Sequence, residues 1–233
     1  MLSPGSSHER LNAVLDRLPG SRYLEIGVAR GATFFNVDAA IKVAVDPRFR
    51  FDPRERAEHP EETYHPISSD DYFAQAIGSS EPFDLIFLDG LHTYPQTLRD
   101  FLSSMALAHR RTVWLIDDTV PTSAIAADPD LQRVRQVRAQ LGQAEDQTWM
   151  GDVFKVVAFI DSFLPQFTCL TTDGHGQTFV LPIPRPKAAP RFSSPDAIDR
   201  LDYLDAVLLR DNLLTPQPIA TILAAIDGLV QSV

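Results

Sequence analysis

The chain of 233 residues predicts an α/β fold, a mostly parallel sheet with helices on both faces. Short β-branched or aromatic runs alternate with stretches of helical spacing along most of its length. One run, Phe83–Leu88, is nearly continuous in apolar residues, as a central strand covered on both faces requires. Late in the chain, Phe167–Thr172 and Gln177–Leu181 are joined by Asp173-Gly174-His175-Gly176, hairpin chemistry that makes the last two strands antiparallel. His175, in that turn, is expected at the surface.

Taken in order, Leu11, Val14, Leu15 and Leu18 share a helical face and stop at Pro19-Gly20, which predicts a helix over residues 8–18. A strand at Arg22–Ile26 leads through a glycine turn into a helix after Gly31, then a second strand at Ile41–Val45. Thr63–Ile67 reads as the third strand, followed by a short helix from Asp70. The fourth is Phe83–Leu88, then a helix from Pro95 to His109 and a fifth strand at Thr112–Ile116. A polar helix near Leu131–Leu141 and an apolar one near Val153–Phe163 precede the hairpin. These elements are expected to form one domain, 1–182. Prolines at 182, 184, 186, 190 and 195 mark 183–195 as a stiff linker. The remainder, 196–233, carries two amphipathic helices, one with Leu201, Leu204, Val207 and Leu208 and one over Ile219–Leu229. It is too short for a domain and is expected to pack on the core or on a second subunit, so a homodimer is expected.

Composition narrows the partners. Hydrophobic content of 44% and charged content of 22% are ordinary for a globular chain. A net charge of −10 disfavours nucleic acid, whose backbone the surface would repel. The basic groups at Arg48–Arg56, Arg133–Arg138 and Arg185–Arg191 are interleaved with acids or prolines and read as solvated faces. The longest apolar run, Val156–Ile160, cannot cross a bilayer, and the N-terminal ten residues lack the pattern of a secretory signal. A single cysteine, Cys169, fits a reducing compartment and reads as a buried small hydrophobe. A cytoplasmic location is therefore expected.

The informative segment is Tyr23-Leu24-Glu25-Ile26-Gly27-Val28-Ala29-Arg30-Gly31. A strand ends in an acid, and glycines let the following turn approach a ligand closely. Asp46 ends the second strand, placed to accept hydrogen bonds from ribose hydroxyls, and Ser69-Asp70 follows the third; a ligand would lie across these carboxyl ends. The pattern resembles the class I S-adenosylmethionine-dependent methyltransferases, whose first motif reads acid-x-Gly-x-x-x-Gly. Glu25, Gly27 and Gly31 match it, with Val28 inside the turn; Asp46 matches the ribose-binding acid, and Asp70 falls where the family contacts adenine. The resemblance covers roughly residues 20–182. It implies a Rossmann-like seven-stranded sheet in the order 3-2-1-4-5-7-6, and S-adenosylmethionine held by Glu25, Gly27, Val28, Gly31, Asp46, Ser69, Asp70 and Asp89. Alternative readings are an NAD(P)-dependent Rossmann oxidoreductase and a non-catalytic cofactor-binding protein. Against the former, Ala29 stands where its fingerprint wants a second glycine.

The fourth strand runs into Asp89-Gly90-Leu91-His92-Thr93-Tyr94 and the fifth into Asp117-Asp118-Thr119. Both ends open onto one crevice. Three carboxylates without a nearby Lys or Arg repel one another unless a cation sits between them, and oxygen ligands favour Mg²⁺, Ca²⁺ or Mn²⁺. Asp118 could instead cap a following helix. The arrangement resembles metal-dependent O-methyltransferases of the catechol and caffeoyl-coenzyme A type. Asp89 and Asp117 match, while Asp118 replaces Asn and is similar to antibiotic sugar O-methyltransferases. The resemblance implies a divalent metal, Mg²⁺ first, on Asp89, Asp117 and Asp118, and a small hydroxylated acceptor such as a sugar, glycoside or natural product. His92 stands where catechol-type enzymes carry a catalytic lysine, and imidazole is suited to removing the hydroxyl proton; a loop or capping histidine is the plain alternative. Trp149-x-Gly151-Asp152-Val153-Phe154-Lys155 is similar to a Gly-Asp-Val-Trp-Lys stretch of small bacterial methyltransferases. Asp152 and Lys155 either pair or reach the acceptor.

Overall fold

The computed structural model describes residues 5–174, 176–186 and 189–231, so His175 lies outside the described residues. Seven strands form one sheet in the order β3-β2-β1-β4-β5-β7-β6. β1 (Arg22–Ile26), β2 (Ile41–Val45), β3 (Glu62–His65), β4 (Phe83–Leu88) and β5 (Ala108–Ile116) pair in parallel. β7 (Thr178–Leu181) runs antiparallel to both β5 and β6 (Thr168–Thr171). β4 is buried at every position, as its apolar run requires.

Side chains alternate across the sheet and build two cores. On one face Leu24, Ile86, Leu88, Trp114 and Ile116 pack with Phe73 of α2 (Ser69–Ala76), Phe101 of α3 (Tyr94–Ser104) and Val156 and Ile160 of α5 (Phe154–Phe163). On the other, Tyr23, Leu85, Phe87, Val113 and Leu115 pack with Leu11 and Val14 of α1 (Ser7–Leu15). Between β5 and α5 lies α4 (Leu131–Gln140). Among the described residues no helix is long and apolar enough to cross a membrane. Cys169 packs against the core, where burial pushes its thiol up to about 12, far from nucleophilic use.

The helix expected after Gly31 does not form. A 3₁₀ turn at Phe34–Asn36 replaces it. The segment holds Thr33, two phenylalanines, Asn36 and Val37, all poor helix formers. Phe34 is fully buried and both rings join an aromatic group with Phe51 and Tyr64. Packing outweighs helical continuation here.

The C-terminal segment contains α6 (Pro195–Asp199), α7 (Tyr203–Leu209) and α8 (Ile219–Gln231). Ile222, Leu223, Ile226 and Leu229 of α8 complete the core face shared with α1. Upstream, Arg185 donates to the Phe167 and Asp161 carbonyls and to Asp161 Oδ1, and Arg191 pairs with Asp161. Deleting residues 195–233 should uncover a large apolar face and cause aggregation. Light scattering checks this, and a soluble, monodisperse truncation would refute it.

Glu62 of β3 is buried against Lys42 Nζ (2.9 Å) and Arg56 (2.8 Å), with the Tyr64 hydroxyl also donating to it. Burial alone would raise its carboxyl, but the hydrogen bonds from Arg56, Tyr64 and Lys42 win and hold it at about 2. A depressed native pKa means this stabilisation is complete above about 4.5 and is lost as pH falls toward about 2. Glu62→Gln leaves Lys42, 5% exposed, without its counter-charge, at a cost of about 3–5 kcal/mol. Urea unfolding at neutral pH measures it. An unchanged midpoint would show that Arg56 and Lys42 find other partners.

Candidate active site

Across the carboxyl ends of β1, β2 and β4 lies a cavity of about 610 Å³, within the range of small-molecule sites. Gly27, Ala29, Asp46, Ser69, Asp70 and Asp89 line it, as do His92 and Gln96. Glu25, Val28 and Gly31 do not line it. The Glu25 carboxyl is buried, accepting from the Tyr23 hydroxyl at 2.5 Å, and burial, reinforced by Asp89 and Asp117, pushes it well above the usual carboxylate range. Val28 belongs to the apolar core. Gly31 shapes the turn at φ +77°, its amide donating to the Val28 carbonyl.

The reason for glycine at position 27 differs from the sequence expectation. Its φ is +90°, and a Cβ there would run into the backbone carbonyl of Asp89. The missing side chain lets the β1 turn lie against the β4 turn, rather than simply clearing space for a ligand. Asp46 locks the same turn. Its Oδ2 accepts from the Ala29 amide (2.8 Å) and its Oδ1 from the Arg48 amide (2.7 Å). Each oxygen retains a lone pair for a ligand hydroxyl. Ser69 and Asp70 start α2, where the Gln96 amide of α3 reaches both (3.2 Å each) and Arg99 pairs with Asp70.

Beside Asp89, the turns after β4 and β5 converge. His92 Nδ1 lies 2.8 Å from Asp118 Oδ2 and 2.8 Å from the Trp149 carbonyl oxygen. A carbonyl only accepts, so Nδ1 carries a proton and donates to both. Nε2 is 3.4 Å from Asp89 Oδ1. Burial alone would lower the imidazole pKa, but the bonds to Asp118 and Asp89 overcome it and raise it to about 11. Asp118 sits at φ +59°, a backbone conformation a non-glycine residue rarely holds and one typical of functional sites. No helix starts there to be capped: α4 begins at Leu131, with Asp130 as its cap.

Asp89, His92 and Asp118 offer ligand atoms all within 4.8 Å of one another. Asp117, expected as a ligand, is not in this group. The residue is 8% exposed, and burial first, then the charges of Asp89 and Asp118, push its carboxyl well above the usual range, while Gln177 hydrogen-bonds it. The expectation of three carboxylates without a protein cation also fails. Asp117 and Arg10 of α1 interact electrostatically, and Arg10 is itself buried and donates to Gln177 Oε1 at 2.9 Å. No local spacing signals a partner 107 residues away. Asp152 and Lys155 turn out structural: Asp152 Oδ1 accepts from the Tyr94 amide at the start of α3, and Lys155 pairs with Asp152 and donates to the Asp199 carbonyl. Sequence reasoning also missed Ala29, Gln96 and any role for Trp149, which it quoted only within a motif.

Residues 24–119, from β1 to the turn after β5, match a family model described as a methyltransferase domain. This match and the strand order agree with the resemblance read from Glu25, Gly27, Gly31 and Asp46: the fold is that of a class I methyltransferase. Among solved structures, the chain is similar to an O-methyltransferase from Bacillus cereus in complex with S-adenosylhomocysteine. The TM-score is 0.50 at 19% identity, covering 77% of this chain and 81% of that one. It is also similar to a candidate caffeoyl-CoA O-methyltransferase from Staphylococcus aureus, with a TM-score of 0.50 at 12% identity, over 77% and 84% of the two chains. At such identities the likeness is one of fold. No curated protein matches the chain.

Proposed function

We propose that this protein is an S-adenosylmethionine-dependent O-methyltransferase, assisted by a divalent cation, acting on a hydroxyl of a small sugar, glycoside or natural product. The observation that carries this reading is one cavity shared by the Gly27 turn and Asp46 with Asp89 and His92, the imidazole being oriented by Asp118. In it, Asp46 would receive ribose hydroxyls on its remaining lone pairs, and Ser69, Asp70 and Gln96 would border the adenine.

The residues fit a hard cation. Asp89 and Asp118 present carboxylate oxygens close together, with the His92 ring beside them. A divalent ion bound there would lower the acceptor hydroxyl's pKa and orient it. A cation holding Asp89 and Asp118 would offset the two charges that keep the imidazole protonated, so that His92 would take the hydroxyl proton at Nε2 while Nδ1–H stays held by Asp118 and the Trp149 carbonyl. S-adenosylmethionine, when bound, would supply the sulfonium methyl carbon that the acceptor oxygen attacks, with S-adenosylhomocysteine as the leaving group.

Calorimetry with S-adenosylhomocysteine and with NAD⁺ and NADP⁺ separates the cofactor classes. Binding of the first alone is expected, and binding of a nicotinamide alone would overturn the reading. A screen of sugars, glycosides and phenols with S-adenosylmethionine and Mg²⁺, reading S-adenosylhomocysteine release, then finds the acceptor. Chelation should strongly depress that turnover while leaving cofactor binding intact. Full activity after exhaustive chelation would dismiss the cation.

A further inference from the structure

We propose that Trp149 is a positioning residue for methyl transfer, holding the His92 ring with Nδ1–H directed away from the cavity and Nε2 toward Asp89. The inference rests on the proposed role of His92 as base and adds the element that sets its orientation.

The indole is stacked on the imidazole, with ring centroids 5.0 Å apart and an angle of 15° between the ring planes. The same residue's carbonyl accepts the Nδ1 proton at 2.8 Å. Ring face and carbonyl therefore fix two different freedoms. The stack sets the plane of the imidazole, and the carbonyl selects which edge of that plane faces the protein. Turning the imidazole over would set a C–H edge against two acceptors, the Trp149 carbonyl and Asp118 Oδ2. A flat aromatic face is also a favourable surface for a protonated imidazole.

Trp149 is itself anchored. Its indole Nε1–H donates to the Asp128 carbonyl at 2.8 Å. The next two amides, Met150 and Gly151, both donate to the Ala126 carbonyl, at 2.9 and 2.8 Å. Gly151 has φ +58°, and a Cβ on it would run into the carbonyl oxygen of His92, so this backbone lies directly against that of the histidine. Asp152 then accepts from the Tyr94 amide, two residues beyond His92. Residues 149–152 thus grip the 92–94 turn at ring, backbone and following amide. This accounts for the spacing Trp-x-Gly-Asp, which the cofactor and cation sites leave unexplained.

The test uses the full-length chain, labelled with ¹⁵N-histidine and saturated with S-adenosylhomocysteine. In the wild type, a slowly exchanging downfield imidazole N–H proton is expected and is assigned to His92 by its loss in His92→Gln. Trp149→Phe, which keeps an aromatic face and the carbonyl, should retain it. Trp149→Ala should lose it through faster exchange, with S-adenosylhomocysteine affinity unchanged; Trp149→Leu replaces that variant if alanine prevents folding. Using whichever of catechol or 4-nitrophenyl β-glucoside is methylated, kcat should fall about 10²-fold in Trp149→Ala, with acceptor KM unchanged and most of the rate recovered in Trp149→Phe. An N–H signal unaltered in Trp149→Ala would overturn the proposal, as would equal losses in the Phe and Ala variants. A His92→Gln enzyme at wild-type rate would defeat the base assignment, a separate failure, since the N–H readout does not depend on turnover.

Discussion

His92→Ala is expected to slow methyl transfer by about 10²- to 10⁴-fold, the usual contribution of a positioned acid–base group, while leaving S-adenosylhomocysteine affinity nearly unchanged. The separation follows from geometry. The cofactor side of the cavity is held by the Gly27 turn and by Asp46, which bonds the Ala29 and Arg48 amides and does not depend on His92. Removing the imidazole takes away the proton acceptor and leaves Asp89 and Asp118 without the ring that lies between them. Those carboxylates should then bind a cation at least as tightly as before, so added Mg²⁺ should not restore the rate. Steady-state kinetics with the acceptor found by screening, together with calorimetry, measure both halves. A variant at wild-type rate would remove His92 from the chemistry while leaving the cation assignment intact.

Gly27→Val should damage both stability and cofactor binding. At φ +90° a β-branched residue is strained, and its Cβ would meet the Asp89 carbonyl, which is backbone and cannot swing aside. Backbone strain of about 1–3 kcal/mol and overpacking of about 1–3 kcal/mol would together take a substantial part of an ordinary domain's 5–15 kcal/mol. The displaced turn carries Ala29, whose amide is bonded to Asp46, so the ribose-binding acid moves with it. Denaturant unfolding and S-adenosylhomocysteine titration test this. A variant with wild-type stability and affinity would show that the two turns can separate at little cost, contrary to the packing of Gly27 against Asp89.

Much of the fold was legible because it rests on local pattern. The apolar run of β4, the helical face of Leu11, Val14 and Leu15, and the glycine-rich link between β6 and β7 each encode an element in a few residues. The order of the strands required the resemblance, since spacing alone does not say that β7 lies between β5 and β6. The helix expected after Gly31 failed because burial of Phe34 and its aromatic neighbours decided that segment. Local spacing cannot register such a long-range term.

By itself, the sequence determined that β1, β2 and β4 end in a glycine turn, an acid and an Asp-Gly-x-His run. In a parallel sheet those ends must open on one side, so Gly27, Asp46, Asp89 and His92 were bound to meet. What each side chain touches was decided only in three dimensions. Asp118 rather than Asp117 joins Asp89 and His92, because a left-handed backbone at Asp118 turns its carboxylate onto Nδ1 while Asp117 is buried near Gln177 and Arg10. Trp149 reaches His92 across 57 residues of chain. Strand ends follow from local periodicity, whereas the charge balance of a buried site depends on every group that packs around it, however distant in the chain.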